Sequence, residues 1–142
     1  MTATVLSQRL VTNELLTLLR ASGETIGDGV APLDAPQRYG VLMFLSASGY
    51  ESLEPEHDLW CEYRVWSIGR DPSDASGRSS GPRMDAEELA HITRSILLDR
   101  EVLIEGLGWR VGGRQWLASE AQAEGDITSV IDDYRFLVTP VV

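Results

Sequence analysis

The most reactive side chains in this sequence gather just before its middle. His57, Asp58 and Cys61 lie close together, with Glu54 and Glu56 ahead of them. Imidazole, thiolate and carboxylate are the donors a metal takes, but a site needs them at set spacings. Neither CxxC nor HExxH nor a second His/Cys pair occurs. The other histidine, His91, falls in a predicted helix far along the chain. Ser46, Ser48 and Ser67 sit on or near predicted strands, but no GxSxG elbow exposes any of them as a nucleophile. Carboxylate pairs are plentiful, at Glu54/Glu56, Glu87/Glu88 and Asp132/Asp133. Acid–base catalysis needs two carboxylates in unlike environments within a cleft, and these pairs read as solvated termini and loops. Asp71-x-Ser73-Asp74-x-Ser76-Gly77 is loosely similar to a calcium loop, but it lacks the register and the closing Glu. Neither GxxxxGK[ST] nor GxGxxG is present to cradle phosphate. The residues therefore predict no enzyme, no cofactor and no metal.

Composition sets the outer limits. The chain has 142 residues and a formal charge of −10, and 43% of its residues are hydrophobic. That length is one domain's worth, so 1–142 is expected to fold as a single unit with a packed core. An acidic chain does not grip DNA non-specifically, because that affinity comes from Lys and Arg against phosphates. Every basic residue beyond the first helix is Arg. This fits either planar, bidentate pairing or simple codon preference. One cysteine cannot close an internal disulfide. No apolar run approaches the ~18 residues of a spanning helix, and no signal-peptide layout opens the chain. The expectation is a protein made in the cytoplasm, with no membrane partner.

The elements follow from periodicity. Residues 4–22 read as a helix with Val11, Leu15, Leu18, Leu19 and Ser22 on one face and Gly23 as a left-handed C-cap. A short strand is expected within 25–30. Residues 40–47 form a continuous apolar run, which suggests a strand covered on both faces. Residues 58–68 alternate: Leu59, Cys61, Tyr63 and Val65 point one way, and Trp60, Glu62, Arg64 and Trp66 the other. Residues 69–83 hold no large apolar side chain and predict a long flexible loop. A helix over 85–99 would start at Asp85 as N-cap, with Glu88 completing a capping box and Met84 stapling onto Leu89. Gly112-Gly113 would turn a hairpin between strands 101–111 and 114–119, with Gly106 and Gly108 marking a bulge. An acidic link over 120–133, with a helical turn at 127–131, would lead to a last strand over 134–142. Pro140 would end that strand or place it at an edge. The fold class is α+β, a mostly antiparallel sheet with two main helices packed on one face.

Two tryptophans on the charged side of one strand are unusual for a face that meets only water. Tryptophan and arginine are the residues that anchor interfaces. A helix lying over part of that face is the alternative. The candidate partner surface comprises Trp60, Arg64, Trp66, Arg70, Arg78, Arg83, Trp116 and Arg135, with Trp109 on a further strand.

The layout also has a familiar order. A first helix leads through Gly29-Val30-Ala31-Pro32 to a strand, and a central strand ends in Val65-Trp66-Ser67. A loop then precedes a helix that begins Asp85-Ala86-Glu87-Glu88-Leu89 and runs to Ile96-Leu97-Leu98. Val102-Leu103, Asp132-Asp133 and the closing strand Tyr134-Arg135-Phe136-Leu137-Val138 follow. This pattern, over nearly the whole chain, resembles the tail-terminator (tail-completion) proteins of long-tailed bacteriophages and phage-like gene-transfer particles. The chain departs from it in the loop at 69–83 and the acidic stretch 51–58. The resemblance implies a hexameric ring of this chain on the head-proximal end of a tail tube, in the virion. It further implies that the ring stops tube growth and docks the head connector, and that DNA passes through the lumen without specific binding. Partners would be the chain itself, the tail tube protein and the head–tail connector, with no catalytic residues. Other readings are a connector or tube subunit, a small-ligand binding module or hydrolase with a pocket between sheet and helices, and an acidic DNA-mimicking adaptor.

Overall fold

The computed structural model describes residues 8–48, 59–70, 81–99, 102–104 and 109–140. The elements in chain order are α1 (Gln8–Arg20), β1 (Ile26–Asp28), β2 (Arg38–Ser48), β3 (Leu59–Arg70), α2 (Gly81–Asp99), β4 (Val102–Ile104), β5 (Trp109–Glu124) and β6 (Ile127–Pro140). The strands make one sheet in the order β1-β2-β3-β6-β5-β4. Only β1 pairs in parallel, against Gly40–Leu42 of β2, and the other pairings are antiparallel. The expected α+β class is what forms.

Helix α1 buries Val11, Thr12, Leu15, Leu16 and Leu19, a stripe at steps of three and four. Thr12 and Leu16 join the predicted face, Leu18 is partly buried at its margin, and Ser22 is exposed past the helix end. Gly23 closes the helix at φ 89°, a backbone setting that only glycine takes at no cost. Residues 4–7 of the predicted helix lie outside the described residues.

Leu59, Cys61, Tyr63 and Val65 of β3 and Tyr134, Phe136 and Val138 of β6 are fully or almost fully buried. They share one core with Val11 and Leu15 of α1 and Leu97 of α2, so both helices cover the same face. Tyr63 and Phe136 stand 6.0 Å apart, as do Tyr134 and Phe136, and Phe44 meets Tyr63 edge-on at 5.5 Å. Burial of each such ring stabilises by about 1.5–3 kcal/mol. The Tyr63 hydroxyl is matched to the Thr12 hydroxyl at 2.8 Å.

Five expectations are corrected. Helix α2 begins at Gly81, a turn before Asp85, because Pro82 fits a first helical turn without a missing bond. Asp85 is thus inside the helix and caps nothing, and Met84 is 62% exposed and staples nothing. The predicted loop shrinks accordingly: Gly69 and Arg70 finish β3, residues 81–83 start α2, and 71–80 lie outside the described residues. Gly112-Gly113 turns no hairpin but sits within β5, where the register against β6 slips between Val111 and Gly113. The turn is at Gly125-Asp126, with Gly125 at φ 62°. The acidic link over 120–133 is strand: β5 runs to Glu124 and β6 starts at Ile127, without a helical turn. Residues 120–127 are all exposed, so no buried alternation marks them as strand. Lastly, β2 is covered on both faces only in its first half, since Leu45 is exposed. Pro140 does end its strand, but β6 is an inner strand and not an edge. The bulge expected at Gly106 and Gly108 lies outside the described residues.

Gly69 sits where β3 meets the start of α2, and an added Cβ would stand 2.0 Å from the Pro82 carbonyl oxygen. Gly69→Ala is expected to destabilise by about 2 kcal/mol or more, read as a lowered urea midpoint. An unchanged midpoint contradicts this packing. Burial also pushes the Cys61 thiol from 9.0 up to about 12, and burial raises the Tyr63 and Tyr134 hydroxyls above their ordinary 10.0. The folded chain keeps these protons after the unfolded chain has lost them. The stability held below pH 9 is therefore lost as pH climbs toward 12, by about 1.4 kcal/mol per unit for each group in range. Urea titrations across this window should show a midpoint that falls with rising pH, and a flat profile would count against it.

Candidate functional site

Strand alternation sends one set of side chains to the core and the next to a face that carries no helix. On β3 this face holds Trp60, Glu62, Arg64, Trp66 and Ile68. Opposite them on β6 stand Leu137, Arg135, Asp133, Ile131 and Ser129. The expectation that these two tryptophans share a face with charge holds, and the helices lie on the other side.

The charges on this face are matched across strands. Arg64 donates from Nε and Nη2 to the two oxygens of its neighbour Asp133, at 2.8 and 3.1 Å. That bond raises the Arg64 pKa. Glu62 lies beside Arg135 in register and accepts from the Ser46 hydroxyl at 3.3 Å. The Arg135 guanidinium sits 4.0 Å over the Trp60 ring, a cation–π contact. Trp66 packs at the other end with Tyr39, Val41, Ile68 and Ala35. Beside it an open depression of about 360 Å³ is lined by Trp66, Gln122, Glu124, Ile127 and Ser129.

Arg70 closes that end differently. Its Nη2 donates to the carbonyls of Ala35 and, at 2.9 Å, Pro36, and its guanidinium lies 5.5 Å from the Tyr39 ring centre. It braces the turn between β1 and β2, whose Leu33 is 94% exposed.

The remaining predicted residues do not join this face. Trp116 is 46% exposed on the helix side of the sheet, with Arg94 4.1 Å over its ring. Register explains the split, because Trp116 pairs with the buried Tyr134. Arg83 is exposed on α2 and paired with Glu87 at 3.0 Å. Arg78, the group at 54–58 and the calcium-like stretch 71–77 lie outside the described residues, and the side chain of Trp109 is not described either.

Sequence reasoning missed the groups that partner these residues. Asp132 and Asp133 look alike in sequence, but they face opposite ways. Asp132 is fully buried on the helix side, against the solvated reading of that pair. It accepts from Arg94 Nη2 at 3.0 and 3.2 Å and from Trp116 Nε1 at 3.0 Å. Extending the alternation of 134–138 back by two residues would have placed it. Of the expected solvated carboxylates, Glu88 meets Arg38 at 3.0 Å, and Arg38 also meets Glu24 at 2.6 Å. The Glu24 hydrogen bond raises the Arg38 pKa despite the opposing effect of burial. His91 is exposed on α2, and Ser67 is buried. Among the described residues no group of three or more His, Cys, Asp or Glu side chains is placed to hold a metal ion. None of the described helices is long and apolar enough to cross a membrane.

The geometry defines an α+β protein whose helix-free sheet face is set with arginine–carboxylate and arginine–tryptophan pairs. No protein-family model and no curated protein matches the chain. Solved structures do share the fold. One is a chain of the virion of a native gene transfer agent particle: the alignment covers 90% of this chain and 93% of that one, with TM-score 0.61 and 13% identity. A second, known only by a sequence code, aligns over 94% of this chain and 96% of its own, with TM-score 0.55 and 14% identity.

Asp132 gives the clearest energetic test. Removing Arg94 strands a buried carboxylate, so Arg94→Met is expected to cost about 3 kcal/mol. Adding Asp132→Leu to that variant should recover more than half of the loss in a chemical-denaturation cycle. Equal stability of the single and double variants would show that the pair carries no such coupling.

Proposed function

We propose that this chain is a structural virion protein, and within that class a tail terminator. The observation that carries the reading is the fold shared end to end with a chain of a gene transfer agent virion. The alignment covers 90% of this chain and 93% of that one.

In this reading copies of the chain close into a ring, a hexamer, on the head-proximal end of the tail tube. The ring ends tube growth and offers its outer surface to the head–tail connector. A ring of identical subunits uses two different patches per copy, which meet head to tail and close by rotation. The open sheet face, with Trp60, Arg64, Trp66 and Arg135, supplies one candidate patch for a subunit, tube or connector. The turn braced by Arg70 supplies another, with the apolar Leu33 at its tip. A charge of −10 suits a conduit through which DNA must slide without being held. No catalysis is assigned to the chain.

The test is electron microscopy of particles assembled without this protein. Tails of uncontrolled length, or tails of normal length without heads, are expected. Full particles with joined heads and uniform tails would refute the role.

A further inference from the structure

At each side of the sheet a long strand is covered only in part by the short strand beside it. On one side β1 covers only Gly40–Leu42 of β2, which leaves Met43–Ser48 without a strand beyond it among the described residues. On the other side β4 covers only Trp109–Val111 of β5, which leaves Gly113–Glu124 likewise open. Open strand edges present rows of unpaired backbone donors and acceptors, and proteins usually guard them with lysine or proline. Residues 43–48 contain no charged residue and no proline, and residues 113–118 contain only Arg114.

Register links the two edges. Met43 lies in one row with Arg64, Asp133 and Ala118, and Ser48 in one row with Trp60, Leu137 and Gly113. The open part of β2 is therefore level with 113–118 of β5. The three antiparallel steps between them also make β2 and β5 run in opposite directions. A copy placed alongside in the same upright orientation thus offers an antiparallel edge at the matching height. Each edge has a slip in its register at nearly the same level, between Phe44 and Ser46 and between Trp116 and Ala118. The extra residue is a leucine in both cases, Leu45 at 39% and Leu117 at 49% exposure.

Charge agrees with this pairing. The upper half of the β5 hairpin carries Glu120, Glu124 and Asp126 and no basic residue. The opposite edge at that height carries two ion pairs, Arg9–Asp28 and Arg38–Glu24, both at 2.6 Å, and in addition Arg20. The Arg20 guanidinium donates to the Ile26 carbonyl, a neutral acceptor that leaves its charge uncancelled.

We infer that the partner of the β5 edge is a second copy of this chain: residues 113–118 of one copy add to Met43–Ser48 of the next, Leu117 against Leu45, to give one sheet continued across subunits. Strand addition of this kind takes its affinity from main-chain hydrogen bonds and its register from side chains. The inference rests on the ring reading and names the contact that builds it. Because the two edges differ, repetition is head to tail.

The test uses the full chain in sedimentation, with Leu45→Lys and Leu117→Lys, both at exposed sites where the fold should survive by circular dichroism. The wild type should assemble, and each variant should need at least tenfold more protein to do so. In parallel, Leu45→Cys mixed with Leu117→Cys should form interchain disulfides on oxidation, and neither variant alone should. Assembly of both lysine variants like the wild type, or equal cross-linking by a single cysteine variant alone, overturns the edge contact and leaves the ring reading standing. A wild type that stays monomeric at every concentration overturns both.

Discussion

Every residue of β3 from Leu59 to Arg70 pairs with β6, and the register never slips. This ladder fixes parity for the whole sheet. Once Tyr63 stands opposite Tyr134, all their even-spaced neighbours must enter the helix-covered side, and every residue between them must stay out. A shift by one would bury Arg64 and Asp133 and expose the aromatic core. The desolvation of those charges makes the alternative register prohibitive. The slips occur only further out, on β2 and β5, where a kink costs the core nothing.

The two faces solve different problems. The covered face excludes water, and its rings and aliphatics need only shape and volume. Asp132, the one buried carboxylate among the described residues, is tolerated because Arg94 and Trp116 both donate to it. The open face has no helix to cover it, so its long side chains pair with each other across the strands. Arginine serves this better than lysine, since one planar head can grip a carboxylate through two bonds, as Arg64 does, or lie flat on a ring, as Arg135 does. The pairing holds Trp60 in place, and apolar packing holds Trp66. Such a surface loses little side-chain freedom when a partner lands on it.

The same economy appears in a chain whose formal charge is −10. Among the described residues the carboxylates are spread along strands and helices, with no concentrated basic stripe. A subunit of this kind repels nucleic acid at range and meets protein at close quarters through shape and paired charge. This is the balance that the proposed role in a DNA conduit asks for, and it needs no reactive group.

Much of the fold was legible in order along the chain. Alternation in 58–68 and 134–138, the stripe in α1 and the glycine at its end are local signals. Burial that repeats at a strand or helix period must leave its trace in residue type. What local signals could not supply was the behaviour of residues 120–127. They are exposed, polar and acidic, and they resemble a loop because nothing buries them. Only pairing with β6, a neighbour already locked to β3, makes them strand, and that pairing moved the turn from Gly112-Gly113 to Gly125-Asp126. The start of α2 was hidden for a related reason: Gly81 and Pro82 look like loop until Gly69 packs against them. The candidate face divides the same way. Sequence alone set Trp60, Arg64 and Trp66 on one side of a strand, because side chains alternate along a strand that carries no bulge. The tertiary structure alone decided that Arg135 joins them, that Trp116 belongs to the opposite side and that Asp132 is buried while Asp133 is not, because those placements depend on which strand lies beside which and in what register.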